Sequence, residues 1–270
     1  MFGKVVGRIF LHDDLGLSDG DDTPDTITLS ELVETYPMWE HFIRQMPFKY
    51  KQLVTMFETS DVHPDIITAM KKFDRVIVPF PYLKEILERH GVNAYSLNFW
   101  TSKLIREKPF VIEKKKNPEK LIYLYVGTND IRKNLQKLVN TFSKYKKHLL
   151  IVKTNTDLGL ISNPHIKIIT EKLKTSQMAA LYNMCDYVIS FTRGEGVGMP
   201  MLEANYFNKP IIAHDQGVFR DIKKFVKVPW HVLPSKEIPI DYENVPPFLQ
   251  KVFYGSWWEV NESCLDDLIV

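Results

Sequence analysis

The 270-residue chain has only two cysteines, Cys185 and Cys264, and neither has a second cysteine or a histidine close by in sequence. That scarcity excludes a disulfide framework and a cysteine-based zinc site. No window approaches 18 uncharged apolar residues, so no membrane-spanning helix is expected. Charges at Lys4, Arg8, Asp13 and Asp14 arrive before any apolar run of signal-peptide length, so no secretion signal is read. The expected compartment is therefore the reducing cytoplasm. An excess of charge is missing too: 35 Lys and Arg stand against 33 Asp and Glu, a formal charge of +2. Bulk attraction to a polyanion is excluded, and nucleic acid is not an expected partner. What is present is ample apolar material, 44% hydrophobic and 12% aromatic, enough to offset ordering entropy and to exclude long disorder. At about 150 residues per domain the length predicts two modest domains.

Short β-branched runs alternate with segments of helical period, which predicts an α/β chain with parallel strands joined by covering helices. In the first part strands are expected over 51–57, 74–79 and 93–99, with helices over 29–45, 64–72 and 81–90. The stretch 98–119 shows neither period and carries the run Lys114-Lys115-Lys116, as a crossing between domains does, so the boundary is placed near residue 105. Beyond it strands are expected over 121–126, 148–153, 166–170, 187–191 and 210–213, with helices over 134–144, 175–184 and 199–207. Such a series is a doubly wound sheet whose ligands sit beyond the carboxyl ends of its strands. The segment 226–247 is rich in proline and poor in period, and 248–270 is read as helical.

The densest chemical signal is Phe191-Thr192-Arg193-Gly194-Glu195-Gly196-Val197-Gly198-Met199-Pro200-Met201-Leu202-Glu203-Ala204, between a buried strand and a helix. Its three glycines let backbone approach a ligand closely, Pro200 suits a first helical turn, and the turn amides suit a phosphate. Glu195 and Glu203 then flank one helix start. Carboxylates beside an anion-binding turn suit a ligand with both phosphates and sugar hydroxyls, as a nucleotide sugar has. The alternative is that Glu203 is a helix-dipole charge worth about 0.3–1 kcal/mol and Glu195 a solvated loop residue. A second loop, Gly127-Thr128-Asn129-Asp130-Ile131-Arg132-Lys133-Asn134, brings Arg132 and Lys133 to the same sheet edge. They suit a departing diphosphate, or else form a solvated basic turn.

The region 126–221 resembles the donor-binding half of retaining glycosyltransferases of the GT-B fold, specifically glycosyltransferase family four. Glu195 to Glu203 is similar to the family's E-x7-E motif, followed at family-like spacing by Lys209-Pro210-Ile211-Ile212-Ala213 and Gly217. The resemblance implies that Glu195 contacts the transferred sugar, that Glu203 contacts the nucleotide ribose, and that the amides of Gly196, Val197, Gly198 and Met199 lie near the donor. Lys133 matches the lysine placed on the donor diphosphate, in a segment similar to G-R-x-x-x-x-K-G. Two positions depart from that pattern: Thr128 replaces the arginine and Asn134 the second glycine, and Arg132 is read as supplying part of the missing charge. In the first domain, Met56-Phe57-Glu58-Thr59-Ser60 and Gly91-Val92 look like a segment facing the cleft. Glu58 and His63 are its candidates for substrate contact in the cleft, against readings as a strand-end charge and a histidine at a helix start.

The fold so implied is GT-B, α/β, with two Rossmann-like domains facing a cleft. Residues 1–105 form a reduced acceptor-side domain, 106–247 bind the donor, and helix 248–270 crosses back. The expected reaction moves a hexose from a nucleoside diphosphate sugar to a hydroxyl acceptor, a glycan, glycoprotein or lipid, with retained anomeric configuration. The alternative is a binding protein of the same fold with little or no transfer. No cofactor or metal is expected: Asp19-Gly20-Asp21 lacks the preceding apolar strand that a metal-holding D-x-D needs. A nicotinamide enzyme is disfavoured because 194–198 is no G-x-G-x-x-G and follows a late strand. The lysine run leaves peripheral contact with anionic lipid open. The trimmed first domain points to a virus-encoded member acting in host cytoplasm.

Overall fold

The computed structural model describes residues 6–12, 26–28, 50–97, 107, 120–155, 163–222, 225–234, 237, 251 and 254–261. The chain forms two units, Met1–Phe99 with Glu195–Val197 and Pro234–Trp257, and Trp100–Gly194 with Gly198–Leu233 and Trp258–Val270. The expected helix over 29–45, the D-x-D stretch, the lysine run and Cys264 lie outside the described residues.

In the first unit the described strands order as β2-β1-β3-β4-β5. Strand β1 (Val6–His12) runs antiparallel to β2 (Thr26–Thr28) and to β3 (Tyr50–Val54). Strands β3, β4 (Arg75–Val78) and β5 (Ala94–Ser96) are parallel. They are joined by α1 (Pro64–Met70) and α2 (Pro81–Arg89), each opening on a proline where the first turn needs no amide. Strand β4 alternates, with Val76 and Val78 buried and Arg75 and Ile77 half-buried. Helix α2 buries Tyr82, Leu83, Ile86 and Leu87, an inward stripe at helical spacing. Strands β1 and β2 were not expected: Gly7, Arg8 and the three-residue length of β2 leave no period-2 run long enough to read.

The second unit carries six described strands, all parallel, in the order β11-β10-β9-β6-β7-β8. They are β6 (Ile122–Val126), β7 (Leu149–Lys153), β8 (Ile166–Ile169), β9 (Tyr187–Ile189), β10 (Ile211–Ala213) and β11 (Phe225–Lys227). The middle residues of β6 and β7 are buried consecutively, as expected of strands covered on both faces. Helix α3 (Leu135–Phe142) turns in Leu135, Leu138, Val139 and Phe142, at i, i+3, i+4 and i+7, against Tyr123, Tyr125, Leu150, Val152 and Ile189. Helices α4 (Thr175–Met184) and α5 (Met199–Tyr206) follow β8 and β9. The strands and helices expected over 121–213 are all present, with ends displaced by two residues at most.

One expectation is overturned. The segment 248–270 is not helical throughout: Ser256–Val260 is a strand, β13, paired with β12 (Trp230–Pro234). Trp257, Trp258, Glu259 and Val260 are buried in succession, so no solvent-facing side remains as a surface helix requires. The paired tryptophans suggested a helix by their bulk, whereas aromatic residues favour a strand once both faces are covered.

Candidate functional site

The second sheet reverses its winding beside β6. The chain steps from β6 outward through β7 and β8, then returns to the other side of β6 as β9 and continues to β10 and β11. The carboxyl ends of the neighbours β6 and β9 flank this switch point, where open parallel sheets place their ligands. The two loops singled out in the sequence leave from those two ends.

After β6 the chain bends at Gly127, where a Cβ would come within 2.6 Å of the Tyr125 hydroxyl that donates to Thr128 O at 3.1 Å. Asp130 organises the turn. Its Oδ2 accepts from Thr128 Oγ1 at 2.6 Å, and its Oδ1 accepts from the Lys133 amide at 2.9 Å. Lys133, half-buried, therefore leaves a fixed backbone. Asn134, the residue after it, is left-handed at φ 53° and caps the start of α3. That conformation explains the departure at this position: asparagine is one of the few residues besides glycine that adopt it. It also gives Asn134 Nδ2 a buried partner, Glu259 Oε1, at 2.9 Å.

After β9 the chain passes through Ser190 and the fully buried Thr192, whose Oγ1 donates to Gly194 O at 3.0 Å. The two loops are tied by several hydrogen bonds, among them Thr192 Oγ1 to Arg132 O at 3.5 Å. The Arg193 amide donates to Arg132 O at 2.8 Å, Arg132 Nη1 donates to Gly194 O at 2.8 Å, and Arg193 Nη1 donates to Ile131 O. Arg132, expected to supply charge to a diphosphate, thus spends one guanidinium nitrogen on holding the β9 loop. Beneath the loop, buried His214 accepts from the Gln216 amide at Nδ1, 3.2 Å, which leaves Nε2 to donate to Thr192 O at 2.8 Å.

Glu195–Val197 belongs to the first unit, where a Cβ on Gly196 would lie 3.0 Å from Met56 Sδ. Val197 is buried and Glu195 half-buried. Gly198 is required twice over, by its φ of +66° and because a Cβ there would sit 2.8 Å from Phe219 Cε1. Met199 and Pro200 open α5, and Glu203 follows half-buried within it. Glu203 Oε2 accepts from the Tyr182 hydroxyl at 2.7 Å. Burial, then the neighbouring Glu203 charge, pushes that hydroxyl well above its ordinary value of 10, so Tyr182 remains a donor. In the first unit, His63 caps α1 by accepting from the Asp65 amide at 3.2 Å and packs edge-on to Tyr254, as its helix-start reading had it. Glu58 is half-buried.

Sequence reasoning missed the most elaborate polar group near these loops. Glu259 is 6% exposed; Oε2 accepts from Arg193 Nε at 2.6 Å, and Oε1 from Lys137 Nζ at 2.7 Å and from Asn134. Burial alone raises a carboxyl pKa, but the hydrogen bonds from Lys137 and Arg193, the Arg193 charge and the Asn134 amide outweigh it and hold Glu259 below its ordinary 4.5. The readable signal was an acid inside the apolar run Trp257-Trp258-Glu259-Val260, which needs a buried cationic partner. Among the described residues no group of three or more His, Cys, Asp or Glu is placed to hold a metal ion. No described helix is long and apolar enough to cross a membrane.

Residues 107–227 match the family described as glycosyl transferases group 1. A comparison with curated proteins finds no sequence match. Among solved structures, the chain is similar to sucrose-phosphate synthase from Thermosynechococcus elongatus, at TM-score 0.51 and 17% identity, covering 61% of this chain and 47% of that one. It is also similar to TarM, at TM-score 0.51 and 14% identity over 85% of this chain and 52% of that one. A third is an alpha,alpha-trehalose-phosphate synthase (UDP-forming) from Burkholderia vietnamiensis, at TM-score 0.51 and 10% identity over 74% and 58%. The chain spans about half the length of these structures. At such identities the likeness establishes the fold: a mixed α/β chain with parallel, Rossmann-like sheets of the GT-B class.

Proposed function

We propose that the protein is a glycosyltransferase that moves a hexose from a nucleoside diphosphate sugar to a hydroxyl acceptor, retaining the anomeric configuration and using no metal. The observation that carries this reading is the pair of loops at the switch point. One ends in Arg132 and Lys133, the other leads into Glu195 and Glu203, and hydrogen bonds between Arg193, Arg132 and Gly194 tie them together. The family match over 107–227 supports the reaction class, and the UDP-forming synthase of similar fold supports a nucleoside diphosphate as the departing group.

In this account Lys133 faces the donor diphosphate, helped by Arg132 and the amides of Gly196 to Met199. Glu203 accepts from ribose hydroxyls and Glu195 contacts the transferred sugar. The bond from the sugar's anomeric carbon to the phosphate oxygen breaks with its electron pair leaving on the diphosphate. The acceptor oxygen bonds to that carbon, and its proton ends on the departing phosphate. Lys133 lowers the barrier by meeting the negative charge as it grows, without a protein nucleophile. Glu58 and His63 remain candidates for substrate contact. The scarcity of cysteine is in keeping with work in a reducing cytoplasm.

The test is thermal denaturation against a panel of nucleoside diphosphate hexoses, followed by assay of nucleoside diphosphate release. A donor at a hundredfold excess over its dissociation constant adds about 2.7 kcal/mol, a rise in Tm of roughly 5–10 °C. No rise with any member contradicts the reading. A second reading, a binding protein without efficient transfer, is favoured by Thr128: where the family has arginine, its hydroxyl donates instead to Asp130 at 2.6 Å. Stabilisation without release across a broad acceptor panel selects it.

A further inference from the structure

Glu259 contacts both loops of the switch point with a different oxygen for each. Oε2 takes Arg193 Nε at 2.6 Å, and Arg193 lies two residues before Glu195. Oε1 takes Asn134 Nδ2 at 2.9 Å, and Asn134 directly follows Lys133. Lys137, one turn into α3, completes the set at 2.7 Å and also donates to Val260 O at 3.0 Å. Strand β13, which carries the acid, is itself anchored here: the Trp258 amide donates to Arg193 O at 2.9 Å, and the Trp258 ring lies over Gly217, where a Cβ would be 3.2 Å away. Arg193 is therefore held at its amide, its carbonyl and two guanidinium nitrogens. Asn134 is held in a left-handed conformation that asparagine adopts less readily than glycine. A carboxylate needed only to secure β13 would require one cation. This one accepts from three side chains, two of which adjoin the residues assigned to the chemistry.

We propose that Glu259 is a positioning residue that fixes the spacing between the Lys133 loop and the Thr192–Gly194 loop, and so holds Lys133 where it meets the departing diphosphate. The inference rests on the reading proposed above. It assigns Glu259 no contact with substrate. Its effect falls on the alignment of the reacting bond, where a displacement of about 1 Å costs up to about a hundredfold in rate. Nucleotide affinity, which draws on Glu203 and the turn amides, is left nearly intact.

The test compares the whole wild-type chain with Glu259→Gln and Glu259→Ala, each well below its own Tm; Gln carries the test if Ala does not fold. Hydrogen exchange is followed without ligand over 130–135 and 190–194. Release of nucleoside diphosphate is followed with whichever donor stabilises the wild type. In Glu259→Gln both segments exchange faster by about tenfold or more while β6 and β7 do not change. The kcat falls by about tenfold to a hundredfold, and the donor KM stays within about threefold. The inference is overturned if only one segment loosens or neither does, or if both loosen and kcat is unchanged. Loosening of both segments in a protein that neither binds nor turns over any donor upholds the coupling and removes the proposed function. Turnover with both segments unaltered does the reverse.

Discussion

The two units bury polarity differently. Among the described residues of the first, the buried polar side chains are Thr55 and Thr59, and its polar pairs lie near the surface: the His90–Asp61 hydrogen bond at 2.5 Å and the Lys251–Asp65 ion pair at 2.8 Å. The second buries Glu259, His214, Asn134, Ser190 and Thr192 near the ends of β6, β9 and β10, and Thr141, His148, Thr154 and Asn183 elsewhere. A buried polar group is costly unless it is satisfied, and once satisfied it fixes geometry more tightly than apolar packing does. The loops whose conformation matters to the proposed chemistry thus rest on buried polar groups, while the first unit relies on apolar packing, Phe57, Phe73, Phe80 and Trp257 included, with its charges at the rim.

The largest effect expected from this contrast is on turnover. Glu195→Ala should reduce nucleoside diphosphate release by about a hundredfold or more while leaving Tm within 2–3 °C of wild type, roughly what a half-exposed substitution gives. A large loss of Tm with proportionate activity would make Glu195 a structural residue. Next is stability. Glu259→Ala leaves two cations without their buried partner and should cost about 3–5 kcal/mol, whereas Lys251→Ala at the exposed Asp65 pair should leave Tm essentially unchanged; equal effects by calorimetry would erase the contrast between the units. Smaller again is the pH dependence. Because the folded protein holds Glu259 below its ordinary 4.5, the unfolded chain takes up that proton first as the solution is acidified. The stability Glu259 contributes is thus complete above 4.5 and lost as pH falls through the depressed value. The Tm difference between wild type and Glu259→Gln should be constant near neutrality and narrow in acid; a difference independent of pH would contradict the ion-pair account.

How much of this was legible in the sequence follows from the same contrast. The parallel strands of the second unit read clearly because Ile122–Val126 and Leu149–Lys153 are apolar runs bounded by turn residues, and α3 because its buried positions keep helical spacing. Gly198 announced itself, since only glycine suits both its backbone and the Phe219 ring beside it. Antiparallel β1 and β2 did not, being short or interrupted by glycine and arginine. Strand β13 was misread because its register is set by partners far away in sequence. Glu259 and Arg193 are 66 residues apart, and Glu259 and Asn134 are 125 apart. No local pattern encodes those pairs. Asn134 looked like a defect in a glycine position and proves to serve both the left-handed backbone and the distant acid.

The account turns on Lys133 meeting the charge that develops on a departing diphosphate. The most direct measurement is the rate at which wild type and Lys133→Ala release nucleoside diphosphate from the donor that stabilises the wild type, with both proteins shown to melt at the same temperature. The account predicts a fall of about a hundredfold to a thousandfold. Equal rates in the two proteins would contradict it.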